Sequence, residues 1–405
     1  MMKEWISPIY SIIFFIIGLP YLSDMQLLLV SIGVVGIYLI YYIIDGDFKF
    51  NYTPANIFLL IFGILVFLNT VLSIDPNGSF RDFSLHMASL GMIFVFTNSR
   101  KTKQDMYLIN VVLVLVALTV SIYGISQYVN GVEMGSGWVD PTQNPDLTTR
   151  VFATFENPNL LAEYLIMIFP VGLALIFYNK SIFKRLFFSA ATFIILITIG
   201  LTYSRGGWLG LMVGIIVFLF LVNRKALLAL IPVGMVGVLF LPASIIHRVM
   251  TLGSFQDTSI IYRLNLLSKS VNIVKDFWYS GIGLGYIPFQ QIIPLYIRTM
   301  APYHTHNLYL QIAIEMGVVG IIVFLLLIFS LMKMSIKLSF NSESRFIGIF
   351  TAAYAASLSG ILVHGIAEHI FFNPKIIMAF WLIVGILINY YVLNSNEEKK
   401  LKLEV

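Results

Sequence analysis

The sequence predicts an all-α, polytopic helical membrane protein, on three observations. Of its 405 residues, 59% are apolar and only 11% charged, against roughly 25% charged in a soluble globular chain. The apolar residues gather into runs of span length, a membrane helix needing roughly 20. The alternating short-period pattern of an outer-membrane barrel appears nowhere. These features exclude a soluble multi-domain enzyme.

Apolar runs bounded by charges or turn residues fall at about 6–22, 25–44, 55–73, 83–97, 105–129, 159–177, 183–202, 206–222, 225–244, 306–332, 346–367 and 376–393. They make about twelve expected transmembrane helices, the first, fourth and eighth being short. The opening segment offsets Lys3 with Glu4 and has no small-residue cleavage pattern. It therefore reads as a first span and not a removable signal peptide. Residues 1–405 are expected to form a single integral membrane domain with two long loops, 130–158 and 245–303.

Threading twelve spans from a cytoplasmic N-terminus places 16 of the 25 basic residues inside, with both termini cytoplasmic. The inside set holds 12 Lys and 4 Arg, the outside set 6 Arg and 3 Lys. Arginine presents a planar fork of donors that matches phosphate oxygens, so an outward arginine bias points to an anionic ligand there. All six histidines, at 86, 247, 304, 306, 364 and 369, are expected at or near the same face. The absence of cysteine removes disulfides, thiolate catalysis and cysteine metal sites. The inside loops are short and hold no GxxxxGK[ST] phosphate loop. The energy for any reaction must then arrive in an activated, membrane-borne substrate.

Four segments could carry chemistry. In loop 130–158, Asn157-Pro158 is a helix cap and first-turn pair. Glu156, Asn157 and Asn159 would then sit at a positive helix end, a place for hydroxyl-rich or anionic groups. LTYSRGGWLG at 201–210 joins two apolar runs with almost no loop, which puts Arg205 at the outer membrane boundary. A boundary anchor would suit Lys equally, whereas an arginine costly to bury marks a pathway or binding site. Gly206 and Gly207 beside it permit close backbone approach.

The loop 245–303 contains an amphipathic interfacial helix at about 259–278, with Ile260, Leu264, Leu267, Val271, Val274 and Trp278 on one face. Asn265, Lys269, Asn272 and Asp276 fall on the other. Arg263 lies at the edge of the apolar stripe, and pairing with lipid headgroups is an equal reading for it. GIGLGYIPF at 281–289 superficially matches a dinucleotide fingerprint, but no strand precedes it, so its glycines read as a tight re-entry turn.

His304 and His306 open the next span, and His306-Asn307 lies at a helix N-terminus, where the dipole disfavours imidazolium and keeps a base available. A zinc reading would group His304, His306, His364, Glu368 and His369. Their spacings do not follow HExxH, so no metal or other cofactor is expected.

The order FENPNLLAEYL, YSRGGWLG, an YRL-bearing helix running into GIGLG, then HTHNLYLQIAIEMGVVG resembles the O-antigen ligase and O-antigen polymerase superfamily over about 150–330. The resemblance implies a metal-independent, inverting glycosyltransferase of the bacterial cytoplasmic membrane. Its donor would be a glycan on undecaprenyl pyrophosphate, used on the outer face, and its acceptor a glycan or lipid-glycan. The family's arginine in SRG corresponds to Arg205, that of the outer helix to Arg263, and its histidine before Asn to His306. His304 is extra to the pattern, and the roles of His364, Glu368 and His369 stay open. Membrane lipids are the expected surroundings, and no nucleic acid partner is implied.

The residues fit that chemistry independently. Displacing a sugar from pyrophosphate needs a base for the acceptor hydroxyl, which His306 supplies, and positive charge for the leaving group, which Arg205 and Arg263 supply. Two rivals remain at this stage. A peptidoglycan-type bundle glycosyltransferase should show a catalytic carboxylate in its large outer loop. A transporter should carry charge through its span centres.

Overall fold

The computed structural model of the chain describes residues 8–45, 50–99, 101–133, 135, 149–238, 246, 258–297 and 302–404. Most of the 130–158 loop and part of the 245–303 loop fall outside the described residues, as do Lys3, Lys49, Arg100, His247, Arg248 and Arg298. The helices are α1 (Pro8–Gly18), α2 (Asp24–Asp45), α3 (Asn56–Val71), α4 (Pro76–Asn98), α5 (Lys103–Asn130), α6 (Pro158–Tyr178), α7 (Ile182–Leu201) and α8 (Arg205–Val222). After a 3-10 turn at Arg224–Ala229 come α9 (Leu230–Val238), α10 (Thr258–Asp276), α11 (Tyr286–Ile292), α12 (Leu308–Asn341), α13 (Arg345–His364) and α14 (Pro374–Glu404). No strand occurs among the described residues.

The all-α class is shown. Eight described helices are long and apolar enough to cross a membrane: α2, α5, α6, α7, α8, α12, α13 and α14. The other four expected runs do not by themselves give such a helix. α1 and α3 are apolar but shorter, and the run 225–244 begins as a 3-10 turn and is described as helix only to Val238. The fourth run, expected at 83–97, is two turns longer than the hydropathy showed. Asp75 caps α4 by accepting from Gly78 N at 2.9 Å, Pro76 follows at the first position, and the first turns carry the polar Arg81 and Asp82.

One end of the bundle gathers the N-termini of α6, α8, α12 and α14 and the C-termini of α1, α5, α7 and α13. Backbone contacts fix this: Val151 N donates to Leu201 O at 3.2 Å and Leu308 N to Gly365 O at 2.7 Å. Lys375 Nζ bonds the carbonyls of Pro20 and Thr154 at 3.1 and 3.0 Å. The opposite end is tied by Lys103 to Glu397 at 2.8 Å and by Arg345 to the Phe177 carbonyl at 2.8 Å.

The glycines of the SRGGWLG string explain how α8 meets α13. A side chain at Gly210 would stand 2.6 Å from the Gly360 carbonyl oxygen, and one at Gly360 would stand 2.8 Å from that of Gly210. Gly214 faces the Ala356 carbonyl, and Gly206 faces the ring of His364. Without a hydrophobic drive between helices in lipid, such small-residue stripes are how backbones gain contact. Here the pairing holds the start of α8 beside the end of α13.

The GIGLG turn has a matching purpose. α12 breaks at Gly317, whose φ is 67°. The break frees carbonyls that Ile282 N and Gly283 N take from Ile314 and Glu315 at 2.9 and 3.1 Å, while Val318 N donates to Trp278 O at 2.7 Å. Backbone polar groups that a membrane helix would lose are thus satisfied by a re-entering turn. Gly281, with φ of 65°, would carry any side chain to 2.2 Å from the Glu315 carbonyl oxygen, so only glycine fits.

The helix expected at about 259–278 is α10, with one correction. Leu264, Val271 and Trp278 remain exposed, as a membrane-facing stripe requires, but Leu266 and Ile273 are buried against Ile282, Phe289 and Ile314. A second apolar face packs α10 onto the GIGLG turn and α12, and a single stripe read from the sequence did not contain it. His86 is a further correction. It lies three turns inside α4, accepting from Trp381 Nε1 at 3.0 Å, and not at the end face.

Candidate functional site

The connection between α13 and α14 reads HGIAEH from His364 to His369 and is pinned by carboxylate–imidazole pairs. Glu368 Oε1 lies 2.7 Å from His306 Nδ1 and 3.7 Å from His304 Nδ1. His364 approaches Glu163 of α6 at 3.5 Å, and His369 approaches Glu315 of α12 at 3.8 Å. Two further spans, α6 and α12, are thereby joined to one short loop. The second carboxylate oxygen of Glu368 accepts from Asn159 Nδ2 at 3.1 Å and lies 3.8 Å from Arg263. Arg263 also donates to the Ala367 carbonyl at 3.3 Å, which draws α10 to the same loop.

The hydrogen bonds assign the tautomers. Burial alone would raise the Glu368 carboxyl. The charge and hydrogen bond of His306, with the Arg263 guanidinium, outweigh it and hold the group well below the ordinary carboxylate range. Ionised Glu368 is acceptor-only, so His306 donates to it from Nδ1 and turns Nε2 away from the carboxylate. His304 Nδ1 accepts from His306 N at 3.1 Å. Burial, ahead of the opposing pull of Glu368, lowers His304 to about 3, so its ring is neutral. Burial likewise lowers His369 well below the usual imidazole range.

Backbone strain falls at the helix entries on this end of the bundle. Among the described residues the non-glycine positions with positive φ are Ala153 (47°), Glu156 (59°), Tyr203 (51°) and His306 (53°). Each costs on the order of 1–3 kcal/mol, and such positions cluster at functional sites. The left-handed turn at His306 directly precedes the cap of α12.

Of the sequence-predicted residues, His304, His306, Arg263 and Asn159 meet at Glu368. Asn307 caps α12, accepting from Leu310 N at 2.8 Å, and donates to the Ile366 carbonyl at 2.9 Å. It ties the helix start to the HGIAEH loop. Asn157 caps α6, accepting from Asn159 N at 2.8 Å. Glu156 is exposed at the preceding turn, where its charge acts on Lys375. Arg205 is the first residue of α8, and its neighbour Gly206 stands against the His364 ring.

Sequence reasoning missed two contributors. Buried Arg150 donates to the Thr202 carbonyl at 2.8 Å and to Asn159 Oδ1 at 3.1 Å, aligning the amide that holds Glu368. Its place inside the long 130–158 loop gave no boundary signal of the kind that marks Arg205. Glu368 was considered only within a zinc set. Its signal was an acid flanked by two histidines at a span end.

That zinc set is partly assembled. The ligand atoms of His304, His306 and Glu368 lie within 4.8 Å of one another, whereas His364 and His369 are engaged elsewhere. Two tetrahedral zinc ligands at about 2.0–2.1 Å from the metal would stand about 3.3 Å apart. The 2.7 Å between His306 Nδ1 and Glu368 Oε1 is instead a direct hydrogen bond.

Residues 190–325 match the family model described as O-antigen ligase. The superfamily resemblance holds. The O-antigen ligase match covers about a third of the chain and contains Arg205, Arg263, His304, His306 and Asn307. Glu156, Asn157, Asn159 and Glu368 lie outside it. No curated protein matches the chain. The apolar helices and the similarity to the O-antigen ligase family model together fit a multi-pass protein of the bacterial inner membrane.

Proposed function

We propose that the chain is a membrane glycosyltransferase of the O-antigen ligase and polymerase type. It moves a glycan from undecaprenyl pyrophosphate to an acceptor glycan or lipid-glycan, inverting the anomeric centre in one displacement without a metal. The observation that carries this reading is the His306–Glu368 hydrogen bond of 2.7 Å, with Arg263 beside the same carboxylate. It supplies an oriented imidazole next to a fixed cation.

In the reaction, the acceptor hydroxyl gives its proton to His306 Nε2 as its oxygen attacks the sugar's anomeric carbon, and the carbon–oxygen bond to pyrophosphate breaks. Glu368 stabilises the imidazolium that forms. Arg205 and Arg263 bind the phosphate oxygens, where charge increases as the bond breaks. Asn157 and Asn159, with Glu156, border the donor at the start of α6, and Asn307 holds the base in place. His304 accepts the His306 amide and shapes the pocket. The site faces outward and both termini face the cytoplasm, in keeping with the distribution of Lys and Arg.

Lipid-linked glycans of a deletion strain test the activity. Accumulated single repeats identify a polymerase and accumulated full-length chains a ligase. An unchanged profile contradicts the reading.

A further inference from the structure

Three aromatic rings close on one another beside the site. Tyr286, Tyr303 and Phe372 come from α11, the segment before α12 and the segment before α14. Their centroids are 5.9 Å apart for Tyr286–Tyr303, 6.1 Å for Tyr286–Phe372 and 6.0 Å for Tyr303–Phe372. None belongs to a described buried cluster, and Tyr303 is 57% exposed. The trio joins the site directly, because the Phe372 ring lies 4.7 Å from that of His304, which lies 4.3 Å from that of His306. Its far rim is charged. The Arg81 guanidinium stands 5.5 Å from the centre of the Tyr286 ring and 3.8 Å from Asp24.

We infer that Tyr286, Tyr303 and Phe372 form a stacking subsite for a sugar ring of the acceptor glycan. An aromatic face is electron-rich, and the C–H groups on the flat side of a pyranose carry partial positive charge, so the two stack while the hydroxyls project outward to polar neighbours. Arg81 and Asp24 offer a donor fork and acceptors at that rim. Pyrophosphate needs cations and not rings, which assigns it to the Arg205 and Arg263 side. The trio instead meets the base through His304, whose position suits the molecule that gives up its proton. This inference rests on the transferase reading for the identity of the ligand, and on geometry alone for the presence of a sugar platform.

The full-length protein in lipid nanodiscs is assayed with the native lipid-linked donor and varied acceptor. In parallel it is titrated calorimetrically with oligosaccharide released from the native envelope polysaccharide. Tyr303→Ala should raise the acceptor KM and the oligosaccharide Kd about tenfold, leaving kcat and the donor KM within twofold. Tyr303→Phe, which keeps the ring, should recover most of that loss. Equal acceptor KM and Kd for parent and Tyr303→Ala overturn the subsite while the transferase reading stands. So does a loss confined to membrane insertion or thermal stability, which marks a residue of the aromatic belt at the lipid interface. A parent that transfers nothing but binds oligosaccharide in a Tyr303-dependent way overturns the transferase reading and leaves the subsite.

Discussion

His306 and Glu368 are 62 positions apart in the chain, and their side chains meet at 2.7 Å. The pairing fixes which imidazole nitrogen carries hydrogen, so the carboxylate determines whether the base works. Glu368→Gln keeps the shape but offers an amide in place of an acceptor-only group. Transfer should fall on the order of 10² or more, since the same exchange in a serine-protease triad costs about 10⁴. The donor KM should change little. Initial rates of the purified variant check this, and a rate within threefold of the parent would reduce Glu368 to a structural tie.

The acid stability of the protein should carry the mark of His304. Its pKa is lowered from 6.5 to about 3 in the fold, so between those values the unfolded chain binds a proton that the folded chain does not. Falling pH therefore favours unfolding across that window, and stability returns as pH rises towards 6.5. Depressed Glu368 acts in the same direction, but only from the carboxylate range downward. Thermal midpoints between pH 4.5 and 6.5 should drop more steeply for the parent than for His304→Asn, which cannot titrate. Parallel curves would show that His304 is not held neutral.

The elements of this fold were largely legible because length and apolarity set a membrane helix, and the Asn157-Pro158 cap pair and the polar His306-Asn307 start mark where helices begin. Arg205, Arg263 and His306 were legible as residues that the membrane environment makes costly. Glu368 was not, because its meaning comes from His306, to which no spacing rule connects it. The buried face of α10 was hidden for a similar reason. Leu266 and Ile273 pack on a turn whose position depends on the break at Gly317, and periodicity within one helix carries no information about a second partner. Arg81 and Asp82 concealed the first turns of α4 by lowering their hydropathy.

Arg205 tests whether phosphate geometry matters. Arg205→Lys retains a charge but loses the planar fork. Loss of one preorganised donor to developing charge costs on the order of 10² to 10³ in kcat. Turnover should fall by that order in the Lys variant, whereas near-parental turnover would make Arg205 a boundary anchor.

The orientation is open to a direct check. Reporter fusions after Asn341, at the end of α12, and after Gly131, at the end of α5, should report cytoplasm and exterior respectively. These positions lie at opposite ends of the bundle. The reverse assignment would place the site inside the cell and remove the lipid-linked donor from its reach.

The central claim is that His306 is the general base of a metal-free transfer. The decisive measurement is glycan transfer by purified protein in nanodiscs with native lipid-linked donor, in EDTA, for the parent and His306→Ala. The parent should be fully active in chelator, and His306→Ala should lose about 10² to 10⁴ in rate while still binding donor. Activity abolished by EDTA and restored by zinc, or a His306→Ala enzyme transferring at close to the parental rate, would contradict it.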